Sequence, residues 1–421
     1  MPHSSTSANS VSRRYLLAAT GALALTAACG SNTGRAGGAG DRPALDQWYH
    51  QYGEAGTEQA VKRYAAAYRK AEITIEWRPG NYDQQTAAAL LTKNAPDVFE
   101  GSPTLDQIQG GQVADLTDLL DGVREDFNPA VLTPKTYKGK IYGIPQAIDM
   151  QMLYYRKSLL DKAGVRPPQT LDELVDAARA LTTKDVKGLF LGNDGGAGVL
   201  GATPLRAAGL ELVTADGAVG FDDPQAARTL GQLHRLHKDD SLLLGAPTDW
   251  SDPSAFLQGL TAMQWTGLWA LPQIEKALGD DFGVLPFPRD GARGRPSVPV
   301  GAYGAAVSAH SSHIDAAKAY VKWLWVERTD YQEDFALSYG FHIPARISLA
   351  KKAAALAKGA AAEAVRFTTE YGYAQPLLWT ARSQTAYQDA LSRVITEGAD
   401  PEAQIRAVVA TANAELKRVR S

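Results

Sequence analysis

What this chain lacks narrows its chemistry before any motif is read. It carries one cysteine, Cys29, in 421 residues. That excludes an internal disulfide and leaves no second thiol for a zinc or redox site. It lacks an excess of either charge: 43 Lys and Arg stand against 46 Asp and Glu, interspersed and without a basic block, which argues against a nucleic-acid partner. There is no Gly-x-Ser-x-Gly elbow, no His-Glu-x-x-His pair and no P-loop, so the familiar hydrolase, metalloprotease and nucleotide sites are missing. Beyond the first thirty positions no apolar run approaches the ~20 residues that span a bilayer. The rest of the chain is too long for one compact core and long enough for two domains.

The first thirty positions form a pattern of their own. Arg13 and Arg14, followed by Tyr15, Leu16 and Leu17, lead into an uncharged apolar run that ends at Ala27 and Ala28. A basic start, a short apolar stretch and small residues make a secretory signal. The paired arginines resemble a twin-arginine export signal. Cys29 directly after Leu25, Thr26, Ala27 and Ala28 resembles the lipobox of bacterial lipoproteins, with Thr26 where that box usually has a branched aliphatic residue. Cleavage there leaves the cysteine first, its thiol available to a lipid. The expectation is a signal at 1–28 and a flexible Gly/Ala/Ser/Asn tether at 29–43. The protein would then be exported and held by lipid on the outer face of the cell membrane.

Strand-like and helix-like patterns then alternate. Residues 44–49 form a short strand candidate, and Val61, Tyr64, Ala65 and Tyr68 mark one face of a helix over 56–70. Ile73, Ile75 and Trp77 alternate with polar residues as a half-buried strand does. A helix over 82–93 leads to a buried strand at 97–99. This alternation predicts an α/β layer with parallel strands, in which ligands gather beyond the strands' carboxyl ends. Thr170 with Glu173 forms a capping box that opens a helix to Leu181. Asp400 and Pro401 open a last amphipathic helix. The second half is mostly helical, with the alanine-rich stretch 351–364 as helix filler.

Few residues outside these patterns carry chemistry. His234 and His237 are three apart on a helix but have no third metal ligand at a convincing spacing, and they read as a solvated face. Residues 196–201 match Gly-x-Gly-x-x-Gly after a strand candidate, but Pro204 interrupts the helix such a site needs, and a cleft loop is the better reading. Trp265 and Trp269 bracket Gly267. A strand through Trp265 that turns at Gly267 into a helix near Leu271 would put Trp269 at a strand end. An indole there suits the apolar face of a sugar ring, while Asp149, Glu100, Gln51 and Asn193, at strand ends or loops, suit its hydroxyls.

At this point the residues resemble a family. "KIYGIPQAIDMQMLYYRKSLLDKAGVRPPQTLDELVDAARAL" (140–181), "FLQGLTAMQWTGLWA" (256–270), "FGVLPFP" (282–288) and "GFHIPAR" (340–346) look like the signature segments of extracellular solute-binding proteins of carbohydrate ABC importers, the maltose-binding-protein-like group. Together with "APDVF" (95–99), the segment 300–324 and the tail 390–416, the resemblance covers 44–416. It implies an α/β, two-lobe periplasmic-binding-protein-like fold, with hinge strands between the lobes and a helix-rich second lobe. Lobe 1 would be 44–149 plus 300–328 and lobe 2 would be 150–299 plus 329–421, with crossings near 149–150, 299–301 and 328–330. Carried over by position, the ligand residues would be His50, Gln51, Tyr52, Glu100, Ser102, Asp149, Asn193, Asp194, Trp250, Trp265, Trp269, Gly301, Tyr303, Arg346 and Trp379. Gly101 and Ser102 stand where maltose binders have a tryptophan, which favours a smaller or different saccharide. The resemblance implies no enzyme, cofactor or metal, and a monomer whose partners are a small carbohydrate and the permease subunits of an importer. A receptor for a polyamine, a polyol phosphate or iron, and an exported glycoside hydrolase built on Asp149 and Glu100, are the alternatives.

Overall fold

The computed structural model describes residues 42–420 apart from Gly340. The signal expected at 1–28, Cys29 and the tether through residue 41 lie outside the described residues. Among those described, no helix is long and apolar enough to cross a membrane.

Two sheets organise the chain. The first runs in the order Glu72–Arg78, Ala44–His50, Val98–Gly101, Gly304–Val307, Ile144–Pro145. Its first three strands are parallel, as the strand–helix alternation predicts, because each crossover runs through a helix: Thr57–Ala67, then Tyr82–Leu90. Gly304–Val307 joins antiparallel to Val98–Gly101. Leu45, Tyr49, Val98 and Val307 pack with Tyr64, Tyr320 and Trp325 into one core.

The second sheet runs Gly372–Tyr373, Val298–Gly301, Ala147–Tyr155, Thr261–Gly267, Lys187–Phe190. The long strand Ala147–Tyr155 is its axis. Its side chains alternate across the sheet: Ile148, Met150, Met152 and Tyr154 are buried in one apolar layer, whereas Leu153 joins the opposite layer. Asp149 and Gln151 share the face of Leu153. That opposite layer is covered by the helices Leu171–Leu181, Pro224–Lys238, Ala381–Glu397 and Pro401–Arg420. The first of these starts at the capping box read from the sequence, with Thr170 Oγ1 accepting from the Glu173 N–H at 3.2 Å.

The chain passes between the sheets at points that position the site. Gln146 alone separates Ile144–Pro145 of the first sheet from Ala147–Tyr155 of the second. Ala302 and Tyr303 separate Val298–Gly301 from Gly304–Val307. These lie within a few residues of the crossings expected at 149–150 and 299–301. The crossing expected at 328–330 is not there. The helix Thr329–Ser338 stays on the first core, because Phe335 and Ala336 are buried in it and Phe335 meets Trp325 edge-on at 5.1 Å. The third joining segment follows it: Ile343–Pro344 pairs with Ile148 and Ala147. The alanine-rich stretch 351–364 is helical at both ends, in Ile347–Lys352 and Gly359–Tyr371, and interrupted between them by a short 3₁₀ turn at Ala354–Leu356. Burial of Ala353 and Leu356 and the left-handed backbone of Gly359 (φ +59°) outweigh the propensity of alanine.

Candidate ligand-binding site

Parallel strands that end side by side bring their carboxyl ends together, and here His50 closes one strand and Glu100 is the next-to-last residue of the other. Glu100 is fully buried (0% exposed). Its carboxylate lies 2.5 Å from His50 Nδ1 and accepts the hydroxyl of Tyr52. Tyr82, at the start of the next helix, donates its hydroxyl to the Glu100 carbonyl at 2.7 Å. Burial disfavours the charged form of the His50 ring, but the Glu100 carboxylate and its hydrogen bond prevail and hold the pKa above 6.5. Burial, reinforced by the charge of Glu100, pushes the Tyr52 hydroxyl well up, so it stays a donor.

A second group gathers where the chain changes sheets. Asp149 Oδ1 is 2.6 Å from Nδ1 of His342, whose Nε2 faces Glu54 at 3.7 Å. Burial again opposes the imidazolium, and Asp149 with Glu54 raises its pKa above the usual value. Lys135 is buried beneath the crossing, its stem running past Gly143 and Gly304, where a Cβ would come within 3.3 and 2.7 Å of it. Its amine donates to the Ala302 carbonyl at 2.6 Å and to Ser102 Oγ at 2.8 Å. Burial lowers its pKa to about 8, against the pull of Asp149. Ser102 is thereby tied to the crossing, with its own hydroxyl donating to the Ala302 carbonyl at 3.1 Å. Tyr303 joins the two groups, its ring tilted against that of His50 at 4.7 Å and lining a recess with Tyr52, Gln146, Asp149 and His342. A wider recess on its other side is bordered by His50, Gln51, Tyr82 and Asp83.

The third wall is aromatic. The strand Thr261–Gly267 ends as the sequence predicts, turning through Leu268–Ala270 into the helix Leu271–Leu278. Trp269 is half-buried there. Its indole N–H donates to the Ser251 carbonyl at 2.9 Å, Trp250 meets it edge-on at 5.8 Å, and its ring lies 6.4 Å from that of His342. The ring folds back over Gly267, where a Cβ would come within 2.0 Å of it. Asn193 holds the loop before Trp250, donating to the Ala246 carbonyl at 3.1 Å and accepting from the Ala246 N–H at 2.7 Å. Asp194 accepts the N–H groups of Gly196 and Gly198 at 2.9 and 2.7 Å. In the Gly-x-Gly-x-x-Gly segment a carboxylate of the chain thus occupies the donors a phosphate would use.

The structure therefore brings His50, Gln51, Tyr52, Ser102, Asp149, Tyr303, Trp250 and Trp269 around one cleft, with Glu100 buried behind His50 and Tyr52 and Asn193 and Asp194 bracing a loop at its edge. Gly301 is exposed beside Asp149, opposite it in the strand pairing. Three further expected residues do not line it. Trp265 is fully buried against Phe287, its N–H spent on Gln151 at 2.9 Å. Trp379 is 3% exposed between Phe221 and Tyr387. Arg346 pairs with Asp126 at 2.7 Å and bonds the Val326 carbonyl. An indole enclosed on both faces has no surface for a ligand, and an arginine already spent on a carboxylate has no free donor fork. Sequence reasoning missed Glu54, Lys135, Gln146 and His342. Gln146 and His342 did carry a signal: each is a polar residue beside an apolar strand at a sheet change.

Comparison with known proteins bears on the family and the fold. Residues 54–325 match the model of the family described as bacterial extracellular solute-binding protein. A curated relative, the diacetylchitobiose binding protein DasA of Streptomyces coelicolor, is 28% identical over 88% of this chain and 90% of its own. Among solved structures, an ABC transporter solute-binding protein of Thermotoga lettingae bound with α-D-tagatose superposes with a TM-score of 0.75 at 22% identity, covering 89% of this chain and all of the other. The GacH receptor of Streptomyces glaucescens, solved without ligand and with acarbose, gives 0.74 at 22% identity over 89% and 99% of the two chains. These likenesses place the α/β fold among two-lobe solute-binding proteins.

Proposed function

The chain belongs to the bacterial extracellular solute-binding proteins, and from that premise we propose that it binds a sugar or short oligosaccharide in the cleft and delivers it to an ABC importer. Trp269 carries the reading: a half-buried indole fixed by its N–H to Ser251 and backed by Trp250 presents a face to a cleft otherwise lined with carboxylates, imidazoles and phenols. Sugars need both surfaces, an apolar platform for ring C–H groups and charge-assisted bonds for hydroxyls. The relatives' names support a carbohydrate, and they differ enough to leave its identity to measurement.

We read the first lobe as 44–145 with 304–338 and the second as 147–301 with 343–420, on the packing of their cores. Closure about Gln146, Ala302–Tyr303 and Ile343 would bring Trp269 toward Tyr303 and present both lobes to the permease. The protein acts as a monomer tethered through a lipidated Cys29, a part of the proposal that rests on the sequence motif alone. Glycoside hydrolysis fits the site poorly, because Glu100 is sealed from solvent and bonded to His50 and Tyr52.

A thermal-shift screen of the purified mature domain tests the assignment. At a hundredfold excess over Kd, binding adds about 2.7 kcal/mol of stability, so the melting temperature should rise by several degrees with at least one mono-, di- or oligosaccharide. Silence across that panel with a shift for a polyamine or a polyol phosphate would remove the sugar and keep the receptor. Fractionation of the producing cells tests the anchor: Cys29→Ser should move the protein from the membrane fraction to the soluble exported one, and an unchanged distribution would refute lipidation.

A further inference from the structure

Gln146 occupies the single residue between the two sheets, and its backbone N–H donates to the carbonyl of Tyr303 at 3.2 Å, tying one crossing to the other. Its side chain is 2% exposed, yet neither its Nε2 nor its Oε1 has a hydrogen-bonding partner. Among the described residues it is the one amide buried with both ends unpaired. Two of its polar neighbours are directed elsewhere: Asp149 faces His342 at 2.6 Å, and Tyr52 donates to Glu100. Phe335 and Ala147 close the apolar side of the same recess.

A buried amide with both ends orphaned costs stability unless something pairs with it. The recess is narrow at the amide, with room there for a group the size of one water or one hydroxyl. A hydroxyl donates and accepts through one atom, which is what an amide with an idle donor and an idle acceptor lacks. We propose that Gln146 is a specificity-determining residue that receives one ligand hydroxyl in this recess, excluding analogues that lack that hydroxyl or carry a bulkier substituent there. This rests on the sugar reading above and adds to it a residue, a size limit and a required group.

The two roles of the amide, a burden before binding and a partner after it, pull in opposite directions, and that makes the proposal testable. Gln146→Leu removes both orphan ends at similar volume, and Gln146→Met serves if the branched chain does not fit. The free-state melting temperature should rise by about 1–3 °C. Affinity should fall about 10- to 100-fold for the saccharide of the set maltotriose, diacetylchitobiose and D-tagatose that wild type binds best. Single-position deoxy and O-methyl analogues of that saccharide identify the hydroxyl: one position should be strongly rejected by wild type and nearly indifferent to the variant, which a purely structural role would not produce. Unchanged affinity in a folded variant, or a lowered free-state melting temperature, would mean that the amide serves the fold, through an ordered water or otherwise, and would overturn the proposal. If wild type ignores all three saccharides the sugar reading loses its support, and the melting temperature then decides alone: a rise upholds an orphan amide awaiting a hydroxyl-bearing ligand, and no rise overturns it.

Discussion

Replacing Trp269 with alanine should cut sugar affinity about 30-fold while leaving the protein folded. A stacked sugar hides on the order of 80 Å² of apolar surface on the indole, which at about 25 cal/mol per Å² is about 2 kcal/mol. The cost to the fold is smaller, since the ring is half-buried and its contacts are the edge of Trp250, the Ser251 carbonyl and the flank of His342. Gly267→Ala supplies an independent arm. The backbone at Gly267 (φ −87°, ψ 168°) suits alanine, so the one consequence is the Cβ 2.0 Å from the Trp269 ring. That must push the indole out of place without changing its chemistry, and affinity should fall in the same direction, about tenfold. Calorimetric titration of both variants decides the matter. Wild-type affinity in Trp269→Ala would mean that the ring is a wall of the cleft and not its platform.

The strand–turn–helix that places Trp269 was legible because it depends on local pattern: a strand through Trp265, then a glycine, then a helix start near Leu271. The parallel strands of the first sheet were legible for the same reason, and with them the meeting of His50 and Glu100 at the strands' carboxyl ends. What escaped depends on contacts distant in sequence. Trp265 and Trp269 differ by one turn of chain, and only the neighbouring Phe287 and Gln151 decide that one is core and the other is surface. The third crossing moved past residue 338 because Phe335 finds Trp325, a choice no window of sequence contains. Lys135 could not be recognised as buried from its own segment. The room for its stem is made by Gly143 on one strand edge and Gly304 more than 150 residues later. His342 and Gln146 are polar interruptions beside apolar strands, and weighing those interruptions at sheet changes is the one step that would have found more of the site.

Glu100→Ala should be the most damaging single change in the cleft, costing about 3–5 kcal/mol of stability and with it much of the ligand affinity. The carboxylate is sealed from water, so its loss takes the shared acceptor from the Tyr52 hydroxyl and the His50 ring and leaves a void that the partly exposed pair only partly refills with solvent. The same pair dictates how wild-type stability responds to pH. His50 and His342 both have folded pKa values above the 6.5 of a free imidazole: burial opposes the charge, but Glu100 holds it on His50, and Asp149 with Glu54 holds it on His342. A raised folded pKa stabilises fully below the unfolded value and is lost as pH climbs through the folded one. Urea midpoints should therefore be highest near pH 6 and decline from about pH 6.5 upward. Lys135 acts in the opposite sense. Its folded pKa of about 8 lies below the ordinary 10.5, so stability returns between those values as the unfolded chain holds a proton the folded one has released. The decline from the histidines is read most cleanly between pH 6 and 8. In Glu100→Ala burial is opposed on His50 by the charges of Asp149 and Glu54 alone, so its pKa falls and its share of that decline shrinks, while the share of His342, held mainly by Asp149, largely stays. A wild-type midpoint that does not move between pH 6 and 8, or a Glu100→Ala variant as stable as wild type, would show that these ion pairs do not hold the cleft together.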